Sequence, residues 1–311
     1  MKYADVQLAI KNNPMSCIDT YTINSSETKY NALNLYSTYK LELGKHKASI
    51  MAGFNQESEW YGYLNTSIDE QAVPTVPSFG GGTGTKNISE GYTEYAIRGA
   101  FGRLTYSYDD KYLLTANMRY DGSSKFPKEN RFGFFPSVAL GWVPTQYDFL
   151  KDSKWLNFLK IRASYGTVGN DRIANKRFPY LTIVDRQDVS PWGSTAQEGL
   201  WESYVGADNL EWEVATKFDL GIEGKLFDNR VDFVVDFFND QRTGIYQQRV
   251  QVPSYVGLTS MPFSNVGEMR SYGADGNISY TERLTKDLSL TLRGNFTYSK
   301  NDVDAWEEAN P

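Results

Sequence analysis

The chain carries few of the side chains that make or break bonds. Its 311 residues include one histidine and one cysteine. The histidine, His46, lies in the charged stretch LGKHK and reads as a solvated turn residue. Cys17 has no second cysteine with which to form an intrachain disulfide. A His-Asp-Ser relay is therefore disfavoured, and a His- or Cys-rich zinc centre is excluded as the main business of the chain. Carboxylates occur as neighbours, Asp109 with Asp110 and Glu307 with Glu308, a pairing that suits acid–base catalysis or calcium. Adjacent residues on a strand point to opposite faces, so neither pair converges on one point. The stretch FGGGTGTKN, Phe79 to Asn87, combines glycines and a lysine, as phosphate-cradling loops do. It lacks the G-x-x-x-x-G-K-[ST] spacing and a preceding apolar strand, and reads as a flexible external loop. No catalytic set, cofactor site or metal site is expected.

Aromatic side chains are the richer resource, with 22 Tyr, 17 Phe and 7 Trp. Trp60, Tyr61 and Tyr63 crown one predicted strand, and Trp192, Trp201, Tyr204 and Trp212 populate the longest predicted loop. Flat aromatic faces stack on sugar rings, while nearby Asp, Glu and Asn bond hydroxyls, which makes these seven the candidate substrate-binding residues. The competing reading is that the rings anchor a membrane interface or pack loops together. Trp192 and Trp201 are expected to face an external vestibule.

The elements that would position these rings are strands. Between Lys111 and Trp142, Tyr112, Leu114, Ala116, Met118 and Tyr120 alternate with Leu113, Thr115, Asn117 and Arg119. Beyond a charged break, Phe132, Phe134, Pro136, Val138, Leu140 and Trp142 alternate with Gly133, Phe135, Ser137, Ala139 and Gly141. The same period of two recurs about residues 33–41, 48–54, 103–108, 159–165, 217–223, 231–238, 277–280 and 288–298. Strands of soluble proteins peak near 5–6 residues, whereas a tilted bilayer-crossing strand needs about 9–11, and these segments approach the second figure. Short turns after Leu41, Tyr108, Phe227 and Tyr280 alternate with long polar loops near 57–92, 122–131, 170–213 and 240–268. Short connections on one side and long ones on the other mark an outer-membrane barrel. The stretch VPTQYDFLKDSKWLNF is an exception, a longer link where a short turn belongs.

The apolar set would then meet lipid. The opposite set, with Lys160, Arg162, Lys217, Glu223, Asp232, Asp236 and Arg293, mixes both signs and suits a wet interior. Tyr106, Tyr108, Tyr112, Tyr120, Phe132, Trp142 and Trp155 gather near strand ends, as interfacial girdles require. Pro136 removes a ladder donor where water cannot replace it, so a bulge or a partly wet position is expected there. The net charge of -6 and pI near 5.1 argue against a nucleic-acid partner. No signal peptide is visible, and no run is long and apolar enough for a membrane helix. The alternative is a soluble carbohydrate-binding β-sandwich, in which a second sheet covers the apolar faces. An enzyme such as a glycoside hydrolase is weaker, for want of converging acids.

The run YLLTANMRYDGSSKFPKENRFGFFPSVALGW resembles a signature segment of the SusC/RagA-like TonB-linked outer-membrane transporters. WLNFLKIRASYGTVGND, NLEWEVATKFDLGIEGKLFDNRVDFVVDFFND and NVGEMRSYGADGNISY resemble the stretches that follow it, in the same order, so the likeness runs from about residue 30 onward. It implies an all-β fold, an antiparallel transmembrane β-barrel of roughly 22 strands around an N-terminal plug, of which this chain holds about ten. It further implies residence in the Gram-negative outer membrane and import of an oligosaccharide or peptide. The implied partners are the lipid bilayer, a SusD-like surface lipoprotein and the TonB complex. No plug, TonB-contact segment or terminal aromatic strand is recognised, so residues 1–311 are expected to be a central part of the barrel. Open edges lead to the expectation that this piece alone forms no stable membrane structure.

Overall fold

The computed structural model describes residues 2–10, 19–73, 75–151, 153–173, 177–192, 195–251 and 261–308; of these, side chains at 2–10, 19, 151, 187–192 and 195–198 are not described. The strands are β1 (Lys2–Ile10), β2 (Asp19–Leu43), β3 (His46–Ile68), β4 (Lys86–Tyr108), β5 (Tyr112–Ser123), β6 (Phe132–Trp142) and β7 (Leu156–Asn170). They continue with β8 (Ile183–Trp192), β9 (Thr195–Tyr204), β10 (Glu213–Leu226), β11 (Val231–Gln248), β12 (Phe263–Arg283) and β13 (Ser289–Ala305). Eleven of them form one sheet, in the order β1 to β7 and then β10 to β13, and β8 pairs with β9 in a separate hairpin. The chain divides into two compact units, Met1–Leu33 with Gln56–Ile97, and Asn34–Asn55 with Arg98–Pro311. The first holds β1 and one end each of β2, β3 and β4. The second holds the other ends of those three strands and all that follows.

Within the second unit the strand register tests the two-face reading directly. Antiparallel partners share a face, and the row Leu114, Leu140, Ala163, Leu220, Phe237, Ala274, Tyr298 runs across seven strands. The next row, one residue along, is Leu113, Gly141, Arg162, Gly221, Asp236, Asp275, Thr297. A slip of one residue in any ladder would have mixed the sets. Leu140, Tyr165, Phe237 and Tyr298 are at least half exposed on the apolar side. Among the described residues no second sheet lies over them, which removes the arrangement a sandwich requires.

Several strands outrun their sequence signal. β2 has 25 residues, β3 and β4 have 23 each, and β12 has 21, about twice the 9–11 that a crossing needs. The connection expected over 57–92 shrinks to 69–85, and that over 240–268 to 249–262. Beyond the hydrocarbon both faces of a strand are wet, so its polar continuation shows no alternation to read. The expected loop 170–213 holds the β8–β9 hairpin for the same reason, since neither of its strands, IVDRQDVSPW and TAQEGLWESY, shows a sustained apolar face. The exceptional link after β6 is built from a 3-10 turn, Pro144–Gln146, and one helical turn, Asp148–Lys151.

The tight turns use left-handed backbone. Gly44 sits at φ +60° between β2 and β3, and Asp109 and Asp110 both sit at φ +52° between β4 and β5. Positive φ at both central residues matches the twist of a two-stranded ribbon, and aspartate tolerates it better than most side chains do. Pro136 stands where the β6–β7 ladder ends. Ser137 to Trp142 pair with β7, whereas β6 pairs with β5 from Phe132 onward, through Pro136 opposite Met118. Its missing N–H thus coincides with a place where β6 has already parted from β7.

Candidate functional site

The polar face of β7, β10 and β11 is organised around one guanidinium. Arg162 donates from Nε to Glu223 at 2.8 Å, from Nη1 to Asp219 at 2.7 Å and from Nη2 to Asp236 at 2.7 Å. Lys160 adds a bond to Glu223 at 3.2 Å. Further ion pairs flank the cluster, Lys217 with Asp240 at 2.9 Å and Lys225 with Asp232 at 3.4 Å. The strand register makes this reach possible. Arg162 is opposite Gly141 on one side and Gly221 on the other, and Gly221 is itself opposite Asp236. A methyl group at Gly221 would fall 2.3 Å from Asp236 Oδ1 and 2.7 Å from Arg162 Cζ. Only hydrogen fits beneath an arginine lying across the sheet. Hydrogen bonds to charged groups are worth about 1.5–3 kcal/mol each, less where water competes as it does at this half-exposed face. The result is a patch of both signs, cross-linked by the Arg162 guanidinium, that a polar solute can touch.

At the far ends of the same strands the connections pack on one another. Phe126 and Leu210 are fully buried, with Ile173 and Ala207 beside them and Tyr180, Trp212 and Tyr246 against the cluster. Polar pins surround this core. Ser123 donates to Asp171 at 3.0 Å and Lys125 reaches the same carboxylate at 3.1 Å. Asn130 donates to the carbonyl of Leu210, and the Asn265 side-chain amide accepts from the backbone N–H of Glu211 and donates to its carbonyl. Residues 122–131, 171–173, 177–182 and 205–212 therefore pack on one another, although the sequence shows three separate polar stretches.

The candidate aromatics divide accordingly. Trp212 stacks on Phe126 with ring centroids 4.7 Å apart, meets Phe135 edge-on at 5.3 Å and donates from Nε1 to the carbonyl of Arg131. Tyr204 is buried, its hydroxyl shared between the Pro179 carbonyl and the Tyr246 hydroxyl. Both rings hold the loop core together. Trp201, on β9, is partly exposed. The side chain of Trp192 lies outside the described residues. In the first unit, Trp60 carries the Lys29 ammonium 4.6 Å from its ring centre, and Tyr61 and Tyr63 face each other at 6.4 Å. Trp60 and Tyr63 border a cleft of about 630 Å³ with Glu27, Glu90 and Tyr92. Sequence reading missed Phe126, Tyr246 and the role of Gly221. The only advance signal for them was a phenylalanine in a charged turn and a glycine in the polar set of a strand.

Residues 3–311 match the family described as TonB dependent receptor-like, beta-barrel. The chain belongs to that family. The TonB-dependent receptor P3 of Formosa agariphila is 32% identical over 274 residues, covering 86% of this chain and 26% of that protein. The TonB-dependent receptor SusC of Bacteroides thetaiotaomicron is 30% identical over 292 residues, covering 89% of this chain and 28% of the relative. The solved RagAB peptide transporter superposes with a TM-score of 0.86 at 23% identity, over 98% of this chain and 34% of the other. The chain thus spans about a quarter of the length of the curated relatives it matches and a third of the solved one. It is a stretch of transmembrane β-barrel wall of the Gram-negative outer membrane, as the alternation and the resemblance imply. In such a wall an apolar row, here the one through Leu140 and Phe237, suits the lipid side, and a charged row like that of Arg162 suits the wet interior.

Proposed function

We propose that this wall belongs to a TonB-dependent importer that carries an oligosaccharide or peptide across the outer membrane. A SusD-like surface lipoprotein delivers the ligand, and the TonB complex drives the cycle through a part of the receptor other than these strands. The observation that carries the reading is the register: seven consecutive strands keep one face apolar and the other charged and paired around Arg162. Membership of the receptor family and likeness to SusC and to a peptide transporter support the same conclusion. The reading assigns no catalytic step and no cofactor.

Of the seven aromatic candidates, Trp60, Tyr61 and Tyr63 of the first unit and Trp192 and Trp201 of the second remain as ligand contacts in this proposal. Tyr204 and Trp212 act as scaffold. The test is binding to, and uptake through, the whole receptor in intact cells, with panels of oligosaccharides and of mixed peptides. One panel binds and is taken up only while the inner membrane is energised, and Trp201→Ala weakens its best member about tenfold, or 1.4 kcal/mol. Uptake that persists after TonB is removed would defeat the importer reading. Unchanged affinity across both panels would remove Trp201 alone.

A further inference from the structure

On the lipid side of the second unit, next to the short turn between β4 and β5, lies a groove of about 470 Å³ lined almost wholly by apolar atoms. Tyr106, Tyr112, Leu114, Leu140, Trp142 and Ala163 border it. The register explains its shape. Leu114, Leu140 and Ala163 form one row, in which the single methyl of Ala163 leaves a trough beside a well-exposed Leu140. One step nearer the turn, Tyr112 and Trp142 are cross-strand partners and raise an aromatic wall. Short turns of outer-membrane barrels face the periplasm, so the groove lies in the periplasmic leaflet.

Beyond Tyr112 stand charges of both signs. The Tyr112 hydroxyl is bonded to that of Tyr147, and the Lys111 ammonium lies 5.0 Å from the Tyr147 ring centre. Lys111 gives one of its three donors to Asp109 at 2.7 Å, and Lys45 meets the same carboxylate at 3.1 Å. The carboxylate of Asp148 also acts on Lys111. Ammonium and phenol donors thus stand beside carboxylates, a combination that answers a phosphate and a primary amine on one headgroup.

We propose that this groove seats one zwitterionic phospholipid of the periplasmic leaflet. One acyl chain lies along Ala163 between Leu140 and the Tyr112–Trp142 wall. The phosphate meets Lys111 and the tyrosine hydroxyls, and the headgroup amine meets the Asp148 carboxylate. The occupant is set by continuity: the groove is part of the surface that already faces lipid, and its polar rim begins where headgroups begin. The seat differs from the rest of the lipid side in holding one molecule in place while neighbouring lipids exchange past the wall.

The experiment uses the whole receptor in nanodiscs of mixed phosphatidylethanolamine and phosphatidylglycerol, with a trace of phosphatidylethanolamine bearing a diazirine in its acyl chain. After illumination, adducts are expected several-fold more often at Leu114, Leu140 and Trp142 than at Val235, Phe237 and Phe296 on the same face. Ala163→Leu fills the trough and lowers groove labelling to the level of those controls, while heat-modifiable gel mobility shows the barrel folded. Tyr112→Phe, which removes only a hydroxyl, lowers it in part. Uniform labelling along the face, or groove labelling untouched by Ala163→Leu, overturns the seat. Equal labelling by a matching phosphatidylglycerol probe overturns the headgroup assignment.

Discussion

Two regions of the second unit, the strands about Arg162 and the loops about Phe126, invert the usual relation between secondary structure and burial. The strands are long and regular, yet their side chains stay half-wet on one side and lie against lipid on the other. The loops are irregular, yet they contain fully buried Phe126 and Leu210. A barrel wall one sheet thick has no interior to fill, so the backbone ladder and paired charges hold it. Dry packing is left to the connections, which fold over one another where the wall ends.

The largest expected effect tests the loop half of that contrast. Phe126→Ala opens a cavity under Trp212 and beside Leu210, a loss of about 3–5 kcal/mol for a buried aromatic. Hydrogen exchange should quicken in residues 122–131 and 205–212 while β7 and β10 keep their protection. Loss of protection in those strands as well would mean the two regions unfold as one and the contrast fails.

Gly221→Ala attacks the wall instead. A methyl group in the space between Arg162 and Asp236 forces the guanidinium aside, costing about 1–3 kcal/mol as overpacking. The urea midpoint of the detergent-solubilised receptor should fall, with loop exchange unchanged. Arg162→Met is expected to cost somewhat less, about 1–2 kcal/mol at this partly exposed site, because water can reach the carboxylates it abandons. Adding Asp219→Asn to Arg162→Met should recover part of that loss, since one repelling carboxylate is gone. Strict additivity of the two substitutions would show that the cluster is not a network.

The smallest effect lies in the turn between β4 and β5. The hydrogen bond from Lys111, and then that from Lys45, holds Asp109 below the ordinary carboxylate range, and Lys47 followed by Ser107 does the same for Asp110. A depressed carboxylate stabilises the fold above its ordinary range and loses that contribution as pH falls through its folded value. The turn amides should keep their native exchange rates at neutral pH and loosen only in acid, below the point where a free aspartate protonates. Loosening that begins near neutrality would contradict the pairing.

Sequence was a good guide wherever two solvents met. Lipid on one side and water on the other impose period two on such strands, so the barrel class and the division of β5, β6, β7 and β10 to β13 into two faces were legible. The outer halves of β3 and β4 and the β8–β9 hairpin were not, because water on both faces leaves no alternation. The loop core escaped for a different reason. Phe126 lies in SSKFPKEN and Leu210 in ADNLEW, and nothing local says that such distant isolated hydrophobes meet. Of the aromatic candidates, Tyr204 and Trp212 were visible as unusual residues, but the backbone partners that use them are set by tertiary structure alone.

Pro136 has a mechanical consequence. From Ser137 to Trp142 strand β6 is tied on both flanks, but toward Phe132 it is tied to β5 alone. The space on its free side is taken by Phe135, whose ring sits so tightly over Gly169 that a methyl there would come within 2.1 Å of it, and Phe135 also touches Trp212. A pull on the external loops therefore travels down the β5–β6 hairpin as a unit and meets the end of β7 through an aromatic wedge and side-chain bonds, Thr167 to the Pro136 carbonyl and Ser123 and Lys125 to Asp171. The fabric has a seam, stitched by side chains instead of amides, and it is along this line that tension from the cell surface would first be felt as shear.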